Sequence, residues 1–274
     1  MTPARLTMGL LGGSAAGLVL TVATAKVGHR LERACAGEPW CERIEAAHPY
    51  AVLTGAADAV ARSELVWLAG QSAPALATEA GSAWRPGQVA IDCELTRPSG
   101  TWRDLADSGV VVLRLAPLGA WEGTSREADA LAGTTCLLAG PALYVPIAQA
   151  LAAEIDAHTL AVAEDNWPLA AEAALLATTQ VERIASAATR LFMAAGAPDG
   201  TALHRVLRRS IERVEGGVAC GETHRVADGL TAALDRHRLA ALDADDPDRP
   251  EDDLGDVAQL IASLADATTG SQER

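Results

Sequence analysis

The chain is poor in aromatic side chains: they are 3% of its 274 residues, namely six Trp, two Tyr and one Phe. Its apolar 49% therefore rests on Ala, Leu and Val, and Ala-rich packing favours helices. Lysine is almost absent. Lys26 is the only one, so chemistry that needs a pocket lysine has a single candidate. Asn166 is likewise the only asparagine. Positive charge is in deficit: 22 Lys and Arg face 36 Asp and Glu, a net charge of −14. That balance argues against nucleic acid and anionic membrane surfaces as partners. Much of the acidic excess lies in 243–256, DADDPDRPEDDLGD, which lacks the ligand spacing and central Gly of a calcium loop and reads as a solvated segment.

Five cysteines, Cys35, Cys41, Cys93, Cys136 and Cys220, are an odd number at wide intervals. There is no CxxC and no Cys/His set with the spacing of a zinc site, so neither a disulfide framework nor a metal centre is expected. A reducing cytoplasm is the expected compartment. No apolar run is long enough for a convincing membrane span; 8–22 is short and rich in small residues.

That run has two readings. Arg5, the apolar stretch and Ala23-Thr24-Ala25 imitate a secretory signal with an A-x-A site. The downstream sequence favours the other reading, a first strand. Short apolar runs recur at 64–68 (ELVWL), 88–93 (QVAIDC), 110–115 (VVVLRL) and 134–138 (TTCLL), separated by helical stretches. Strands alternating with helices imply a parallel sheet. Such a sheet needs a central first strand, and 6–11 supplies it, so the N-terminus is expected to be retained.

Between that strand and the next helix stands LLGGSAAG, 10–17. A dinucleotide-binding turn reads G-x-G-x-x-G: the first Gly makes the turn, the second lets pyrophosphate approach, and the third lets helix and strand pack. Gly12, with Gly13 after it, and Gly17 take the outer places, and Ser14 takes the middle one, its side chain expected towards the phosphate site. The second strand is expected at 28–33, with an alternative end near Cys35. Glu32 stands about twenty residues past Gly12, where an acid holds the ribose, while Arg30 and Arg33 suit a 2′-phosphate. The expected cofactor is NADP or NAD, with Gly12, Gly13, Ser14, Gly17 and Arg33 as its site.

From residue 6 to about 190 the chain resembles the prephenate/arogenate dehydrogenase family. LLGGSAAGLVLTVATAKVGHRL is similar to the family's first strand, glycine loop, helix and Gly-His turn. AADAVARSELVWLAG is similar to its next helix and strand, QVAIDCELTR to the strand carrying DVGSVK, and APLGAWEG to HPMAGxExG. ADALAGTTCLLAG and PIAQALAAEIDAHTLAVAEDNW resemble the stretches that lead into its second domain. The resemblance implies a Rossmann-like parallel sheet domain (1–163) followed by an all-helical domain (164–274) that binds substrate and forms a homodimer. The substrate implied is a small carboxylate-bearing molecule, cyclohexadiene or amino-acid-like, in specialised metabolism. The family's histidines are missing: Ala116 replaces the one in HPM, and Thr178 or Thr179 falls where the catalytic one would be. A Thr hydroxyl does not titrate near neutrality and cannot replace that base. Glu122, which matches the glutamate of HPMAGxE, or a water held by Thr178 is the expected acid/base. Arg97, Asn166, Thr179, Gln180 and Arg183 are the expected substrate contacts, with Asp92 a further candidate; Arg97 has the competing reading of a surface residue before Pro98. The rival expectation comes from the same losses: a cofactor-independent isomerase, lyase or cyclase, or a non-catalytic partner protein, on the same fold.

The helical half carries an apolar stripe at Leu203, Val206, Leu207, Ile211 and Val214, a 3–4 spacing that predicts an amphipathic helix ending near Gly216, with a last helix at 254–265.

Overall fold

A computed structural model describes residues 5–197 and 199–215. Eight strands make one sheet: β1 (Thr7–Gly12), β2 (Arg30–Cys35), β3 (Val52–Leu53), β4 (Leu65–Ala69), β5 (Val89–Asp92), β6 (Val111–Pro117), β7 (Thr135–Ala139) and β8 (His158–Ala161). Their spatial order is β3-β2-β1-β4-β5-β6-β7-β8. The first six strands pair in parallel in the doubly wound order 3-2-1-4-5-6, so the fold is Rossmann-like.

Both faces of the sheet are covered, which is why β1 and β4 read as near-continuous apolar runs without alternation. Met8, Leu10, Trp67, Ile91, Leu113 and Leu138 meet α1 (Ala15–Lys26) and α6 (Val145–Glu154) on one face. Leu11, Val66, Leu68 and Ala90 meet α3 (Ala56–Ala61) and α4 (Ala73–Ala80) on the other. These helices are built from Ala, Leu and Val because the chain has so few rings to spend. Two shorter helices complete this part, α2 (Trp40–Ala47) and α5 (Arg103–Asp107).

The expectation of an all-parallel sheet fails at one place. β7 runs antiparallel to β6, while β8 is parallel to β7. The 118–134 connection holds only a 3₁₀ segment, Ser125–Leu131, and a parallel return needs a full crossover. The second strand ends on Cys35, the alternative end, and starts two residues later than 28, because Gly28, with φ +105, is spent on the turn after α1. β3 has only two residues, too few for any periodicity to announce it.

The chain divides into two compact units, up to Thr178 and from Thr179. In the first, α7 (Trp167–Leu175) starts as a Trp-Pro pair suggests, with Pro168 in its first turn. Trp167 is buried, and its indole N–H donates to the Leu95 carbonyl at 2.9 Å. A π-turn, Leu176–Gln180, follows. The second unit contains α8 (Val181–Ala194) and α9 (Thr201–Glu215) among the described residues. Gly216, the 254–265 helix, the acidic 243–256 run and Cys220 lie outside the described residues. Within them, no helix is long and apolar enough to cross a membrane.

Candidate nucleotide site

The glycine loop sits at the carboxyl end of β1, next to β4, where the strand order reverses. Gly12 has φ +81, and a Cβ there would stand 2.1 Å from the Ala69 carbonyl oxygen, so nothing larger fits. A Cβ at Gly17 would stand 2.5 Å from the Ala69 Cβ. These are the turn-making and close-packing roles of a dinucleotide loop. Gly70, with φ +69, closes the same corner from β4; its Cβ would stand 2.0 Å from the Gly13 carbonyl oxygen.

Ser14 behaves differently from expectation. Its backbone is extended, at φ −154 and ψ 165, and it is the N-cap of α1. Its Oγ accepts from the Gly17 N–H at 3.1 Å, so the side chain caps its own helix. Extended backbone suits any residue, which is how Ser replaces Gly there. Beneath lies Cys93, whose Sγ donates to the Leu68 carbonyl at 3.1 Å. Burial, with Glu94 and Asp92 nearby, pushes that thiol well above its ordinary range. It is a packing residue, not a nucleophile.

The two-residue shift of β2 changes the reading of the ribose end. Glu32 and Arg33 lie inside the strand. Arg30 pairs with Glu32 at 3.1 Å. Arg33 Nε donates to Asp58 at 3.1 Å, and its Nη1 donates to the Glu32 carbonyl. The strand ends on Cys35. Burial raises that thiol, with Glu79 and Cys41 adding to the shift.

Beside the loop, a buried network joins the ends of β4, β5 and β6. Asp92 is fully buried and accepts from Arg97 Nε at 3.0 Å, Trp102 Nε1 at 2.8 Å and the Glu94 N–H at 3.1 Å. Burial raises its carboxyl above the ordinary range; Arg97, Trp102 and the Glu94 N–H oppose the shift. Arg97 Nη2 donates to the Gly70 carbonyl at 2.6 Å, and the Gly70 N–H donates to Glu94 Oε1 at 2.8 Å. Arg114 lies 3.9 Å from the centre of the Trp167 ring and donates to Glu164 and to the Arg97 carbonyl. Arg97 is thus no surface residue: it braces the Gly70 corner through its Asp92 pair.

The remaining sequence candidates lie on separate segments. Glu122 is exposed in the 118–124 segment. Its N–H donates to Glu127 Oε1, and its carbonyl accepts from Arg43 Nη1 at 2.8 Å. Asn166 is exposed and precedes α7 without capping it. Thr178 Oγ1 donates back to the Ala174 carbonyl at 2.9 Å, the local bond open to any helical Thr. Thr179, Gln180 and Arg183 belong to the second unit; Thr179 and Arg183 are exposed.

Sequence reasoning missed Arg114, Glu94 and Trp40. Arg114 had a visible signal, a charge inside the apolar run VVVLRL, which must find a buried partner. Trp40 had one too, as a ring in a chain with few. Its indole lies on Gly13, where a Cβ would stand 2.2 Å from the indole Cγ.

No family model matches the chain, and no curated protein matches it. Solved structures do. A Bacteroides fragilis protein assigned as an NADP oxidoreductase matches with a TM-score of 0.67 at 13% identity, over 87% of this chain and 92% of that one. An imine reductase from Myxococcus stipitatus in complex with NADP+ matches at 0.66 and 16%, over 96% and 94%. A reductive aminase from Aspergillus terreus with NADPH and ethyl levulinate matches at 0.56 and 16%, over 87% of each chain. At these identities the likeness is one of fold.

Proposed function

We propose that the chain is an NAD(P)-dependent oxidoreductase acting on a small carboxylate-bearing substrate. One observation carries the reading: Gly12 and Gly17 make a tight turn into the N-terminus of α1 at the point where a 3-2-1-4-5-6 sheet reverses. The first-turn N–H groups of α1, at Ala15 and Ala16, would hold the pyrophosphate. The Arg97–Gly70–Glu94 brace keeps the β4 corner in register with Gly13. When bound, the dinucleotide supplies or accepts a hydride. Ala116 makes the end of β6 apolar and, with Leu137, Ala139 and Trp167, keeps water from that part of the sheet. Thr178 spends its proton on Ala174, so we put Glu122 forward as the carboxylate for proton transfer. The shared fold of dinucleotide-bound reductases supports the cofactor class.

We further propose a homodimer assembled through the helical unit, where Phe192, Met193, Val206 and Ile211 are exposed, and a reducing cytoplasm, which suits the free thiols of Cys35, Cys41, Cys93 and Cys136. Light scattering at micromolar concentration gives twice the chain mass if the dimer forms. One observation favours a second reading, a redox-neutral protein on the same fold: the Trp40 indole seated on Gly13. Titration with NADH and NADPH, followed by energy transfer from the six tryptophans, decides between them. Saturable transfer in the micromolar range supports the oxidoreductase. Its absence up to millimolar cofactor, in the wild type and in Trp40→Ala alike, overturns it.

A further inference from the structure

The glycine loop has a roof made by two segments that leave the sheet far apart. Residues 36–43 follow β2, and residues 118–124 follow β6. Trp40 joins them. Its Cβ and Cγ lie against Gly13, and its far edge lies against Gly123, where a Cβ would stand 3.1 Å from Cζ3. The same Cβ would stand 3.0 Å from the Ala15 Cα, in the first turn of α1. Arg43, one turn along α2, fastens the joint. Its Nη1 donates to the Glu122 carbonyl at 2.8 Å, and its guanidinium stands 5.0 Å from the Trp40 ring centre. From the other side, Glu127 accepts from the Glu122 and Thr124 N–H groups at 2.9 and 2.8 Å.

Gly13 shows that this contact is built in. Its φ is outside the left-handed region, so its backbone does not require glycine. The indole does: any Cβ at position 13 would overlap it. Gly12 and Gly17 serve the turn and the helix packing, whereas Gly13 serves Trp40.

We propose that Trp40 is the gate of this nucleotide site, latched by Arg43 on the Glu122 carbonyl. The proposal rests on the dinucleotide reading of the loop given above. A pyrophosphate with its two riboses is wider than the gap between an indole and a Cα in contact. Binding therefore needs the indole to leave Gly13 and the Arg43–Glu122 bond to open. The affinity measured is the intrinsic one reduced by the fraction of molecules with the gate open. The on-rate levels off at the opening rate when ligand is in excess.

The test is calorimetric and stopped-flow titration of the full chain with NADH and NADPH, in wild type, Trp40→Ala and Arg43→Ala. The gate predicts a Kd at least tenfold lower in Trp40→Ala and several-fold lower in Arg43→Ala. It also predicts an observed rate that saturates with ligand in the wild type and rises linearly in Trp40→Ala. Arg43→Ala leaves the packing on Gly13 intact, so it decides the matter if Trp40→Ala does not fold. Wild-type binding that neither variant tightens overturns the gate and leaves the dinucleotide reading standing. Binding by none of the three proteins overturns both. Binding by Trp40→Ala alone supports both.

Discussion

At the scale of single residues, His48 couples stability to pH. It is buried at the end of α2, and its Nε2 lies 3.1 Å from Thr21 Oγ1. The Thr21 hydroxyl spends its hydrogen on the Leu18 carbonyl at 2.9 Å, so Nε2–H is the donor to Thr21. Desolvation lowers its pKa from 6.5 to about 4. The unfolded chain therefore binds the extra proton first as pH falls. Stability is complete above pH 6.5 and is lost progressively towards pH 4, by about 2 kcal/mol at pH 4.5. Urea midpoints at pH 7 and pH 4.5 measure the loss, and His48→Gln removes this part of the slope. An unchanged slope in the variant would show that other groups carry it. Gly70 makes a second case. Its φ of +69 costs an alanine about 1 kcal/mol, and the overlap with the Gly13 carbonyl adds a shift of the loop. Gly70→Ala is expected to destabilise by roughly 2 kcal/mol or more and to weaken dinucleotide binding at least tenfold, read by urea denaturation and calorimetry. Normal stability and affinity would mean that the β4 corner has room to yield.

At the scale of elements, the glycine turn was legible and its partners were not. Gly12 and Gly17 sit in one contiguous stretch, so spacing alone exposes them. Arg33 falls inside β2 and not at its end because a strand's register depends on where the preceding turn spends its residues, and Gly28 took two that the expected strand had claimed. The surface reading of Arg97 failed because its partner Asp92, also singled out as a site candidate, stands on another element, and sequence spacing does not show pairing in space. Asp92 ends β5 and faces Arg114 in the register of β6. Its two oxygens serve Arg97 and Trp102, with Arg114 Nε 3.9 Å away and otherwise without a hydrogen bond. Asp92→Asn keeps the shape and removes the charge between two buried guanidinium groups. Breaking a buried pair in this way costs about 3–5 kcal/mol, so the variant is expected to unfold at much lower urea than wild type. A cost below about 1 kcal/mol would show that water reaches the two arginines. The cap of α1 makes a milder comparison: Ser14→Ala loses the bond to the Gly17 N–H and is expected to cost about 1 kcal/mol in the same assay.

At the scale of the whole molecule, alternation of strands and helices was enough to find five of the six strands of the doubly wound part, all but the two-residue β3. It failed at β7, because direction there depends on whether 118–134 holds a crossover helix, and a 3₁₀ segment leaves no periodic trace. The division into units has a consequence for binding. Every residue assigned here to the dinucleotide and its gate lies before Thr178: the turn at Gly12–Gly17, the Gly70 corner, the Asp92 network, Trp40, Arg43 and Glu122. The same stretch contains all eight strands and the buried Trp167 that seals the end of the sheet. A fragment ending at Thr178 is therefore expected to fold as an α/β unit. It should bind NADH or NADPH with a Kd within about threefold of the full chain, since the contacts that carry the free energy are all present. Trp40→Ala should tighten binding in the fragment as it does in the full chain. Circular dichroism establishes folding and calorimetry the affinity. A folded fragment that fails to bind, beside a full chain that binds, would mean that residues after Thr178 complete the nucleotide site, and the first unit would then be only its floor.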